Sequence, residues 1–291
     1  MRRENIYLST IASDAPFYAR EYGFGLEIAE FCTAWNIDRR FELTDSRVQE
    51  SLQGISNSIL HAPSNELFPC AIDEKARELA AYRYRQAIDL AKRYGSKKVV
   101  IHGGYHPWMF YPVWYVGQSV AFWKQFLMKE DPDVEIVLEN VLEAEPQWLL
   151  DIVKGVKDPK LKLCLDVGHV NAYSQVPVMQ WLEAWAPWIG HFHIHNNDGT
   201  RDQHNALWDG SIPMKELLSN QRCFELVRGW IMSKESMDLS FRFKFVSSLT
   251  QYRDNENYNW KILKNMATIA QYMNDDDFVT LNKLLRSVRY K

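Results

Sequence analysis

His191-Phe192-His193-Ile194-His195-Asn196-Asn197-Asp198-Gly199 is the stretch on which the reading of this chain turns. Side chains alternate along a strand, so His191, His193 and His195 share one face and Phe192 and Ile194 the other. The remaining histidines behave alike. All eight (His61, His102, His106, His169, His191, His193, His195 and His204) sit at or just past the ends of short apolar runs, and none falls in a helical-looking stretch. Glu139, Asp166, Asp202 and Glu235 hold the same kind of position. Imidazoles and carboxylates delivered by many strand ends to one face are what a buried metal site in a barrel requires.

Outward from that stretch, apolar runs alternate with amphipathic ones. Candidate strands are Asn5–Ser9, Gly25–Phe31, Ser58–His61, Lys98–His102, Glu135–Asn140, Leu161–Asp166, Gly190–His195 and Trp230–Lys234. Candidate helices are Asp73–Tyr94, Tyr115–Lys129, Pro146–Val156, Val178–Ala186 and Met214–Asn220. The first begins at an aspartate and stops before Gly95, a good start and stop for a helix. Strands alternating with helices imply a parallel sheet. Eight such units favour an α/β fold closed as a (β/α)8 TIM barrel, for which 291 residues is ample. An open dinucleotide-binding sheet fits poorly. Gly23-Phe24-Gly25 lacks a third glycine at the required spacing, and there is no P-loop. The expected organisation is one barrel domain over residues 1–239, with a helical extension over 240–291 packed outside it. Lys261–Met273 and Phe278–Val288 are its expected helices.

A formal charge of −3 argues against a broad nucleic-acid surface. Cys32, Cys70, Cys164 and Cys223 are far apart and form no CxxC pair. They are expected to be reduced, buried thiols in a cytoplasmic protein. No apolar run approaches the roughly 18 residues of a membrane span, and no membrane partner is expected.

Strands three to seven add candidate ligands at their ends: His61, His102, Glu139, Asp166 with His169, and the three strand-seven histidines, followed in the next loop by Asp202 and His204. Glu139, Asp166, Asp202 and Glu235 would place several negative charges in one cleft, where they cannot all stay ionised without cations. Mixed histidine and carboxylate ligands suit Zn, Mn, Fe or Co better than Mg or Ca. Glu235 follows the least secure strand, and Glu225 competes with it for the same role. His106 reads as a solvated or outer residue, His191 as too deep to reach a metal, and His195 as open between roles.

The motifs LHAP (60–63), VIHGG (100–104), LEN (138–140), LDVGH (165–169), HFHIHNNDG (191–199) and DQH (202–204) together resemble the xylose isomerase-like TIM barrels. That superfamily holds sugar isomerases and epimerases together with endonuclease IV. The resemblance implies one to three divalent ions held by His61, His102, Glu139, Asp166, His169, His193, Asp202, His204 and Glu235. Single-metal epimerases of the superfamily use the equivalents of Glu139, Asp166, His193 and Glu235.

Three chemistries follow. The first is a sugar or sugar-phosphate isomerase or epimerase, with a small sugar as its partner. Glu139 and Glu235 form its acid–base pair, and proton transfer runs through an enediolate. Trp108, His106, His195, Asn140 and Arg201 are then assigned to the substrate. The aromatic loop 105–111 after strand four is placed to stack on a sugar. The second is an endonuclease IV-like phosphodiesterase acting on abasic DNA, which the full ligand set favours. Against it stand the mild acidity, Ser64-Asn65-Glu66 where DNA-repair members carry an inserting aromatic, and HNNDG where they carry HLND. The third, a binder without catalysis, leaves the converging carboxylates unused. The first is the expectation carried forward.

Overall fold

The computed structural model describes residues 6–130, 133–219 and 243–245. Eight strands, all parallel to their neighbours, close into a barrel in sequence order. They are β1 (Ile6–Ser9), β2 (Gly25–Ile28), β3 (Ser58–His61), β4 (Lys98–His102), β5 (Glu135–Glu139), β6 (Leu161–Asp166), β7 (Ile189–Ile194) and β8 (Phe243–Phe245). The helices are α1 (Ala15–Tyr22), α2 (Ala34–Asp38), α3 (Phe41–Leu52), α4 (Glu74–Arg93), α5 (Pro112–Glu130), α6 (Gln147–Val156), α7 (Val167–Tyr173), α8 (Val178–Trp185) and α9 (Met214–Ser219).

Helix α4 shows how local sequence fixes an element. The Asp73 carboxylate accepts the Lys75 backbone N–H at 2.8 Å and caps the helix. Ala80, Tyr84, Ala87, Ile88 and Ala91 form its buried stripe. Lys92 and Arg93 lie in the last turn, where cations suit the helix dipole.

Strand alternation sorts residues into two cores. Outward-facing Leu8, Leu60, Val99, Ile101, Leu138, Leu165, Phe192 and Ile194 pack under the helices. Inward-facing Tyr7, Ile59, Val100, Val137 and Cys164 form a separate cluster in the barrel. Reading β4, β5 and β6 two residues at a time gives three interior layers: Lys98, Glu135 and Lys162; then Val100, Val137 and Cys164; then His102, Glu139 and Asp166. The floor is ionic, the middle apolar and the mouth histidine and carboxylate. In the floor, the Lys98 ammonium meets Glu135 at 2.6 Å and donates to the Gly190 carbonyl, and Lys162 reaches the other Glu135 oxygen.

Two expectations need correcting. The barrel closes on Phe243–Phe245, between β7 and β1, rather than on Trp230–Lys234. The closing strand thus falls beyond the boundary expected at 239. Phe241-Arg242-Phe243-Lys244-Phe245 alternates apolar with charged residues, so a search for a continuous apolar run passes over it. Trp230–Lys234, Glu225, Glu235, Cys223 and the helices expected at 261–273 and 278–288 lie outside the described residues. The second correction is His169. It lies in the first turn of α7, not outside every helix. Among the described residues, Cys70 and Cys164 are buried free thiols and Cys32 is only half-buried. No described helix is long and apolar enough to cross a membrane.

Candidate metal centre

The C-terminal strand ends and the loop after β7 bring eight of the expected ligands together. Glu139, at the end of β5, is buried and sits at the middle. Its Oε2 lies 3.3 Å from His61 Nε2 and 3.6 Å from His102 Nε2. Its Oε1 lies 2.7 Å from His193 Nδ1 and 3.5 Å from His169 Nδ1. Asp166 Oδ2 stands 3.4 Å from the same His193 nitrogen. His169 Nε2 then leads on to Asp202 Oδ2 at 3.3 Å, and Asp202 to His204 Nε2 at 2.7 Å. Three contiguous groups result: His61–His102–Glu139, Glu139–Asp166–His169 and His169–Asp202–His204. The ligand atoms within each group lie within 4.8 Å of one another.

Local sequence aims these groups. Asp166 ends β6 and caps α7, its Oδ1 accepting the His169 N–H at 2.7 Å. One short motif therefore fixes two candidate ligands. The Asn140 amide clamps β5 to β6, donating to the Asp166 carbonyl at 3.0 Å and accepting its N–H at 2.9 Å. These bonds make it a strap between the two strands. The Asp202 loop returns over the mouth through Asn196, which donates to Leu207 O, and Asn197, which donates to Gly168 O. Those asparagines explain the departure in HNNDG. Asp198 is turned away into its own turn with Thr200 and Gln203. Within VIHGG, a side chain on Gly103 would strike Glu143 and Tyr115, and Gly104 adopts φ 80° against Pro69.

The donor set fits a divalent ion. His61 Nδ1 lies 2.8 Å from the Ala62 carbonyl and His169 Nδ1 2.8 Å from the Asn140 carbonyl. Each carbonyl takes an N–H, so that in the neutral ring an Nε2 lone pair faces a carboxylate at 3.3 Å. A lone pair and a carboxylate repel unless a cation lies between them. Electrostatics agree. Burial disfavours the Glu139 charge, but His193 and His102 hold its carboxyl well below the usual range. Burial likewise opposes the Asp166 charge, and His169 and His195 lower its pKa well below that of an ordinary aspartate. His169 would lose its proton to burial, yet Asp166, Asp202 and Glu139 raise it to about 10. A proton there stands in for metal charge. Asp202 Oδ1 and His204 Nδ1 are buried without a hydrogen-bond partner among the described residues.

Other expected residues sort differently. His195 turns its Nε2 to both Asp166 oxygens, at 3.0 and 3.1 Å, and stacks on His204 with ring centroids 4.0 Å apart. It holds Asp166 from behind. His106 is half-buried and accepts the Trp108 N–H at 3.3 Å, shaping its own loop. Trp108 is 90% exposed on that loop, and Arg201 is exposed. Sequence reading passed over Glu27, fully buried on β2. It lies inside an apolar run rather than at its end; the alternation Gly25-Leu26-Glu27 was the available signal. Glu27 joins His191 and His193 in a further group of potential ligands.

Gly168 carries a direct prediction. A Cβ there would fall 1.9 Å from the His195 ring. Gly168→Ala is expected to cost about 1–3 kcal/mol of stability through overpacking. With Asp166 unsupported, zinc affinity should drop roughly 10-fold or more. Thermal melts and chelator competition would check both. Unchanged zinc affinity would show that His195 does not support the site.

The barrel, with histidines and carboxylates converging at its mouth, defines a class, and comparison with known proteins places the chain within it. Residues 18–232 match the family described as xylose isomerase-like TIM barrel, and the chain belongs to that family. It is similar to protein MJ1311 of Methanocaldococcus jannaschii, 29% identical over 204 residues, covering 67% of this chain and 69% of that one. Its fold matches a D-tagatose 3-epimerase-like protein at TM-score 0.65 and 22% identity, covering 93% of this chain and 100% of the other. It also matches the IOLI protein with a bound zinc atom at TM-score 0.68 and 17% identity, covering 93% and 99%.

Proposed function

We propose that this barrel is a divalent-metal-dependent sugar or sugar-phosphate isomerase or epimerase. The observation that carries the reading is Glu139: a buried carboxylate whose two oxygens face different histidine sets, which favour its charged form. His61, His102, Glu139, Asp166, His169, His193, Asp202 and His204 would hold one to three ions of Zn, Mn, Fe or Co. A bound ion would polarise the sugar oxygens and ease loss of a proton beside the carbonyl. The protein's own groups do the rest. Glu139, kept anionic by its imidazoles, takes that proton on one face of the sugar. Glu235 is proposed to return it on the other. Trp108 and Tyr111, both strongly exposed in the loop after β4, supply flat apolar surface to stack on the ring and exclude water. The similarity to a D-tagatose 3-epimerase-like protein and to a zinc-bound barrel supports this assignment.

The test is isotope exchange. With Zn, Mn or Co restored, a panel of ketoses in deuterated water should gain deuterium at the carbon beside the carbonyl. A metal-loaded enzyme that exchanges no proton with any of them would sink the reading.

A second reading has one observation in its favour. The His169–Asp202–His204 group continues the other two into a set able to hold three ions. An abasic-site phosphodiesterase would use such a set to activate water and stabilise the leaving oxygen. The exposed Glu66 after LHAP opposes a phosphate backbone. Three ions per chain together with cleavage of an abasic duplex would decide for it.

A further inference from the structure

We infer that Glu27 is a positioning residue that sets how His193 presents itself to the metal centre; this rests on the metal-site reading above. His193 faces two carboxylate environments through its two ring nitrogens. Nδ1 points to Glu139 at 2.7 Å and Asp166 at 3.4 Å. Nε2 points the opposite way, to Glu27 Oε2 at 3.5 Å. His191, two residues earlier on the same face of β7, brings its Nε2 to the same oxygen at 3.4 Å. All three side chains are at most 1% exposed, so solvent does not serve as their partner.

The chemistry follows from the ring. A histidine that gives one nitrogen to a metal carries its proton on the other, and a carboxylate behind it fixes ring orientation and raises ligand basicity. With Nδ1 committed beside Glu139 and Asp166, the proton belongs on Nε2. Glu27 is the acceptor placed for it, its Oε2 3.5 Å away, and an ion on Nδ1 would favour a charge-assisted hydrogen bond there. His191 does not compete for the ion. It lies one step deeper on β7 and shares Glu27 Oε2 with His193. The arrangement reaches from β2 to β7 across the barrel interior, which is why neither strand alone discloses it.

The experiment compares the full-length chain with Glu27→Gln and Glu27→Asp. Zinc affinity is measured by competition with a chromophoric chelator. In parallel, histidine-labelled protein loaded with an NMR-active cadmium isotope shows which His193 nitrogen couples to the metal. The expected result is coupling to Nδ1 and an exchange-protected, downfield Nε2–H in wild type. Glu27→Gln should lose that protected proton and bind zinc roughly 10–100-fold more weakly. Glu27→Asp should recover part of both. Unchanged affinity in Glu27→Gln, coupling through Nε2, or a separate ion held by Glu27 and His191 would each overturn the assignment. If Glu27→Gln does not fold, the wild-type spectrum decides alone. Wild type that binds no zinc overturns the metal-site reading together with this one, whereas tight zinc binding that ignores Glu27 overturns only this one.

Discussion

Glu139→Gln is expected to yield a folded barrel that neither holds a divalent ion tightly nor turns over substrate. Glu139 supplies a ligand atom to three of the candidate groups: with His61 and His102, with Asp166 and His169, and with Cys164 and His193. No other residue of the described site is shared so widely. The amide keeps the shape and removes the charge that balances those imidazoles. Removing a partner behind a metal ligand typically costs roughly 10–100-fold in affinity, so losing this carboxylate should cost more than about 100-fold. Proton exchange at the sugar carbon should vanish with it, because the group proposed as base has gone. Elemental analysis of the purified variant and deuterium wash-in are the two measurements. Retained metal and retained exchange together would show that the site lies elsewhere.

The second large effect concerns the other end of the barrel. Glu135→Leu is expected to lower stability by about 3–5 kcal/mol, because it strands the buried Lys98 ammonium without its carboxylate. Urea unfolding should show it directly; a loss below about 1 kcal/mol would mean that the Gly190 carbonyl alone satisfies Lys98. A pH dependence accompanies it. Burial raises the Glu135 pKa, but Lys98 and Lys162 outweigh that and hold it below the usual glutamate range. A carboxylate depressed in the folded state adds stability that is complete above its unfolded pKa, about 4.3. That contribution is lost as pH falls through the lower folded value. Wild type should therefore weaken on acidification below about pH 4.3, and Glu135→Leu should show a shallower acid dependence.

Much of this was legible in the chain. The period-two pattern in His191–His195 put three imidazoles on one face, and the structure keeps them inside the barrel. Asp73 and Gly95 bounded α4 within a residue, because capping and chain reversal are local chemistry. The strand-end positions of His61, His102, Glu139, Asp166 and His193 gathered them at one mouth, because a closed parallel barrel points all its strand ends the same way. Other features were out of reach. The closing strand, only Phe243–Phe245, is too short and too interrupted by charge to stand out, and only the unpaired edges of β1 and β7 select it. His169 entered a helix because Asp166, a strand residue, also caps α7.

The sequence by itself determined the alternation of strand and helix, the inward or outward facing of each strand residue, and the chemical types stacked from floor to mouth. These follow from the backbone period and from side-chain identity, which need no knowledge of neighbours. Only the tertiary structure decided which nitrogen of His193 meets Glu139 and which meets Glu27, that Asn140 straps two strands, and that His195 rests on Gly168. Those are distances between residues far apart along the chain. They are set by the registers β5–β6 and β6–β7, including the shift between Leu163 and Cys164, and no local pattern encodes them.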